Sequence, residues 1–100
     1  IKYYHLTANI NGKNETEITN KLSAKSELMG IRGPSLSTVY TSTNANLFSI
    51  TLIIKHEAVL ETVDHIRKCG GMDIACSQIN YLFENKSKSY ATLIKELNKK

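Results

Sequence analysis

The sequence predicts an α+β domain: a four-stranded antiparallel sheet with two helices on one face, plus a C-terminal helix. Three observations predict it. Apolar residues alternate with polar ones at Tyr4, Leu6, Ala8 and Ile10, and again at Phe48, Ile50, Leu52 and Ile54, the period of half-buried strands. The second of these runs is joined to the strand-like stretch before it by only four residues, Ser42 to Ala45, so the two pair antiparallel. Helical patterns fill the two longer connections, which puts both helices on the same side of the sheet.

Taken in order, the first strand runs through Tyr3 and Ile10 and stops at Asn11-Gly12. Asn14 stands three residues before Glu17, the spacing of a capping box with asparagine in place of serine or threonine. The helix that follows turns Ile18, Leu22 and then Leu28 or Met29 inward. Gly30-Ile31-Arg32-Gly33-Pro34 breaks it. Leu36–Thr41 is the second strand and Asn46–Lys55 the third. The second helix, Glu57–Cys69, carries Glu57 and Glu61 at its positive end, Arg67 and Lys68 at its negative end, and Gly70 where a left-handed cap belongs. Val59, Val63 and Ile66 form its inward stripe. Asp73–Phe83 is the fourth strand, with Ile79, Tyr81 and Phe83 in one alternation. Ser87–Asn98 is the closing helix, with Tyr90, Leu93, Ile94 and Leu97 on its buried side.

The βαββαβ order is that of a ferredoxin-like sandwich, and it leaves one sheet face bare. Ile53 and the Ile79–Phe83 alternation are expected to make that face apolar enough to join copies of the chain into a homo-oligomer.

One hundred residues make a single domain, with 41% hydrophobic and 22% charged residues. No apolar run approaches the roughly 18 residues of a spanning helix, so no membrane segment is expected. The net charge of +4 comes mostly from scattered lysines, and the third strand lacks the basic and aromatic spacing of an RNA-binding sheet. Nucleic acid is therefore not an expected partner. His5, His56 and His65 are dispersed, the last expected on a helix surface, and no third ligand completes a metal site. No nucleophile elbow or phosphate-binding loop occurs. Cys69 and Cys76 lack metal or thiol-exchange spacing and read as partly buried, reduced thiols of an intracellular protein. The chain opens on Ile1 rather than methionine, so it is expected to be a piece of something longer.

The loop at 30–35 has two readings. In one, Gly30 caps the first helix and Gly33-Pro34 merely turns the chain. In the other, the glycines let the backbone approach a small ligand, with Ser35, Ser37 and Thr38 adding hydroxyls. A zwitterionic amino acid needs donors for its carboxylate and acceptors for its ammonium group, and Asn9 and Asp73 are candidate acceptors.

Several stretches together resemble a known family: "YYHLTANINGKNETEI", "LMGIRGPSLSTVY", "NLFSITLIIKHEAVLETVDHIRKCGGMDIACSQINYLFE" and "YATLIKEL". They are similar, in order and spacing, to the C-terminal regulatory domain of long-form ATP phosphoribosyltransferase, in the variant of plants and related plastid-bearing or bacterial lineages. The resemblance implies that residues 1–100 are one regulatory and oligomerising domain of a longer chain. In that family the N-terminal domains catalyse magnesium-dependent phosphoribosyl transfer onto ATP, so no cofactor is implied for this chain and no catalytic residue falls within it. The implied effector is histidine, bound where subunits meet. The family's effector loop matches Ile31, Arg32, Gly33 and Ser35, with Ser35 in a threonine position. Its first-strand polar residue matches Asn9, where many members have aspartate, and its pocket-forming turn matches Gly71 to Ile74, centred on Asp73. Asn9 removes a charge that would meet an ammonium group; Arg32 adds one suited to a carboxylate. The implied compartment is cytoplasmic or organellar, in a plastid or mitochondrion.

Two functions of different class follow. One is an allosteric histidine sensor of ATP phosphoribosyltransferase. The other is a stand-alone structural subunit of a larger assembly that lacks the catalytic half. A sensor of another small metabolite is a third, lesser reading.

Overall fold

A computed structural model of the chain describes residues 1–40, 46–83 and 97. Along the chain come β1 (Tyr3–Asn11), α1 (Glu15–Leu22), β2 (Ser35–Thr38), β3 (Leu47–Lys55), α2 (Val59–Lys68) and β4 (Met72–Ile79). Short 3-10 segments follow α1 at Ser23–Leu28 and precede α2 at His56–Ala58. The strands form one antiparallel sheet in the order β2-β3-β1-β4, the ferredoxin-like arrangement expected from the sequence.

The register shows how the alternation works. Leu6 pairs with Leu52, Ala8 with Ile50 and Ile10 with Phe48, and all six are buried beneath the helices. Ile18 and Leu22 of α1, Leu28, Met29 and Ile66 of α2 close this core from above. Each fully buried aliphatic side chain contributes about 1.5–3 kcal/mol, so the two central strands and the two helices hold one another in place. The opposite face carries the other parity. Ser35 faces Thr51, which faces Thr7; Ser37 faces Ser49, which faces Asn9; and Ser77 faces His5.

Several boundaries differ from expectation. Asn14 caps α1 as predicted, its Oδ1 accepting the Glu17 N–H at 2.9 Å. Past Leu22 the helix tightens into the 3-10 segment and kinks at Lys25 (φ −124°, ψ 74°). β2 is only Ser35–Thr38, and β4 ends at Ile79 rather than Phe83. Tyr81 and Phe83 are therefore not strand residues. The bare sheet face interleaves the hydroxyls with Tyr3, Leu47, Ile53 and Ile79, so two of the apolar residues expected there, Ile53 and Ile79, are on it. The turn at 42–45 and the closing helix at 87–98 lie outside the described residues, apart from Leu97, which is exposed rather than buried.

Candidate functional site

Gly30 begins the loop with φ +80°, and a Cβ there would lie 2.4 Å from the Ile53 carbonyl oxygen. Both constraints require glycine. Ile31 then donates its N–H to the same oxygen at 3.1 Å, pinning the loop to β3. Gly33 (φ +88°) turns the chain before Pro34 leads it into β2, which pairs with β3 from Ser35. Among the described residues, the amides of Arg32 and Gly33 make no backbone hydrogen bond. Ile31, Arg32, Gly33 and Ser35 line a groove of about 360 Å³ together with Thr51, Leu52 and Ile53 of β3. Leu82 and Phe83, from the segment after β4, complete its wall.

The remaining predicted residues lie at the other edge of the sheet. Thr7 faces Ala75 but Asn9 faces Met72, so β4 carries one extra residue in a bulge. Asp73 in this bulge adopts φ +53°, the only positive φ of a non-glycine residue among those described, and aspartate is one of the few side chains to tolerate it. Asn9 Nδ2 donates to Asp73 Oδ2 at 3.1 Å, so these two are brought together. Gly71 is not available in the same way. Its N–H donates to Ile66 O at 2.8 Å while the Gly70 N–H donates to Arg67 O at 3.0 Å, a Schellman closure of α2. Ile74 packs on the core. What this edge offers a ligand is the Asp73 carboxylate and the Asn9 amide oxygen.

The eight predicted residues thus fall into two groups, one beside β2 and one beside β4. The two edges are three strand spacings apart, roughly 14 Å. No free amino acid bridges that distance within one chain.

Sequence reasoning missed Thr51, Leu82 and Phe83 as groove residues, because strand pairing and the path of the chain after β4 place them there. It also misplaced His65, which is buried (5% exposed) between the helices. Its Nε2–H donates to the Leu22 carbonyl at 2.8 Å, tying α2 to the last turn of α1. Cys69 lies 3.8 Å from that nitrogen and donates to Lys21 O at 3.6 Å. The spacing from Thr62 through His65 and Ile66 to Cys69 was the available signal, since it traces one stripe of a helix. Burial pushes both the Cys69 and Cys76 thiols up, partly offset at Cys69 by the Lys21 charge.

Among the described residues no three His, Cys, Asp or Glu side chains gather as a metal site requires, and no helix is long and apolar enough to cross a membrane.

Comparison with known proteins adds to this picture. The family described as HisG, C-terminal domain matches residues 1–81. ATP phosphoribosyltransferases 1 and 2, chloroplastic, of Arabidopsis thaliana are each 24% identical over 98 residues, covering 94% of this chain. The chain spans about a quarter (24%) of the length of these relatives. Among solved structures, CPII, a nitrogen regulatory PII-like protein from Thiomonas intermedia K12 bound to ADP, AMP and bicarbonate, is similar with a TM-score of 0.52 at 14% identity. The match covers 83% of this chain and 98% of that one. The same protein bound to ADP and bicarbonate gives a TM-score of 0.50 at 13% identity, over 81% and 91% of the two chains. At that identity the likeness concerns the fold.

Proposed function

The chain belongs to the family of HisG C-terminal domains, and from that premise we propose that it is the histidine-sensing, oligomerising domain of an ATP phosphoribosyltransferase. In this reading it regulates the first step of histidine biosynthesis and performs no chemistry itself. The observation that carries the reading is the division of polar groups between the two sheet edges. The β2 edge presents the Arg32 guanidinium, two unpaired amides and the Ser35 hydroxyl, all suited to a carboxylate. The β4 edge presents the Asp73 carboxylate, suited to an ammonium group. A zwitterion satisfies both when the β2 edge of one copy meets the β4 edge of another.

Histidine binding and assembly are then one event. A ligand shifts a quaternary equilibrium only by its differential affinity for the two packings, and a site completed by two copies supplies that difference. The chloroplastic relatives point to a plastid as the compartment.

Calorimetric titration of the chain with L-histidine, paired with sedimentation velocity, tests this. Binding heat with a shift to a larger species supports it; no heat at millimolar histidine overturns it. The second outcome favours the structural-subunit reading, for which one observation speaks already: Asp73 and Asn9 satisfy one another within a single chain.

A further inference from the structure

Phe83 belongs to no strand, yet it lines the loop groove with Leu82, Ile31 and Ile53. Tyr81 lies almost parallel to it, with ring centroids 6.4 Å apart and planes inclined by 9°. Phe83 is 52% exposed and Tyr81 81% exposed, so the pair is a preformed surface rather than part of the core. The groove therefore has two unlike walls. One is made by polar residues, Arg32, Ser35 and Thr51, with Gly33, and among the described residues the Arg32 and Gly33 amides make no backbone hydrogen bond. The other is aromatic and aliphatic. Among the described residues no carboxylate lines it. Such a groove matches a molecule with an anionic group at one end and a flat, apolar-faced ring at the other.

We infer that Phe83, oriented by Tyr81, is the residue that makes the groove selective for carboxylates bearing a flat ring. The inference rests on the effector reading above and adds to it a specificity element outside the family-matched loop. The ring of the ligand stacks on Phe83 while its carboxylate meets the loop amides. A phenyl face is also a favourable neighbour for a cationic ring, so an imidazolium gains from it as an imidazole does.

The test uses the hundred-residue chain, its Phe83→Ala and Phe83→Tyr variants, and two probes, L-histidine and glycine, which share the carboxylate and ammonium but differ in the ring. For Phe83→Ala the histidine Kd is expected to rise about tenfold, with glycine affinity changed less than about twofold. Phe83→Tyr restores histidine affinity to within about twofold. The imidazole proton resonances of bound histidine move upfield with wild type and Phe83→Tyr but not with Phe83→Ala, a ring-current signature that a purely structural role would not produce. Phe83 is half-exposed, so the variants fold, as a melting curve verifies. Wild-type histidine affinity in Phe83→Ala overturns this inference and leaves the effector reading intact. Absence of histidine binding by the wild-type chain overturns both.

Discussion

The two edges of the sheet use glycine for opposite ends. At the β2 edge, Gly30 and Gly33 bracket a turn in which, among the described residues, the Arg32 and Gly33 amides make no backbone hydrogen bond, and both residues line a groove. At the β4 edge, Gly70 and Gly71 bend it so that their amides close the preceding helix. One edge keeps donors available, while the other spends its donors internally and leaves a carboxylate. The difference teaches that a run of glycines identifies a turn, but only the hydrogen-bond ledger of that turn tells whether it can receive a ligand.

The comparison can be broken most severely at Gly30. Gly30→Ala puts a Cβ against the Ile53 carbonyl at a positive φ, and is expected to cost about 3 kcal/mol in a denaturant titration. The β2 edge should lose its groove while the Asn9–Asp73 pair survives, which amide chemical shifts at both edges would show.

Next in size is His65→Leu, at about 2 kcal/mol, because it strands the Leu22 carbonyl in a buried position. Since α1 leads into one edge and α2 into the other, hydrogen exchange should quicken at both, which Gly30→Ala should not do.

Asp73→Gly sharpens the contrast between stability and binding. Relief of the positive φ offsets the loss of an exposed hydrogen bond, so stability should change by less than about 1 kcal/mol. Histidine affinity should nonetheless fall about tenfold by calorimetry, because the ammonium group loses its anion.

The smallest effect is a gain. Among the described residues the buried Thr62 hydroxyl has no hydrogen-bond partner, so Thr62→Val is expected to stabilise the chain by about 1 kcal/mol with histidine binding unchanged at both edges.

Most of the fold was legible because its signals are local. The alternation in β1 and β3, the Asn14 cap and the Gly70 stop each sit within a few residues of what they decide. The failures are non-local. Ile79, Tyr81 and Phe83 keep strand parity, but β1 begins at Tyr3, opposite Ile79, and past that point β4 has no partner to extend against. His65 looked like a surface residue because its partner, a backbone carbonyl, lies 43 positions away. The candidate site was half legible for the same reason. Its loop announces itself through Gly30, Gly33 and Pro34, whereas the Asp73 bulge depends on how β4 registers against β1. That the eight residues divide between two edges follows only from the strand order.

The bare sheet face sets hydroxyls and apolar side chains side by side, and that mixture governs how it can be covered. A surface that covers Thr7, Ser49 and Ser77 also covers Tyr3, Ile53 and Ile79, so hydrocarbon and hydroxyls leave water together. Covering this face should therefore give a negative heat-capacity change, smaller than that of a wholly apolar interface of the same area.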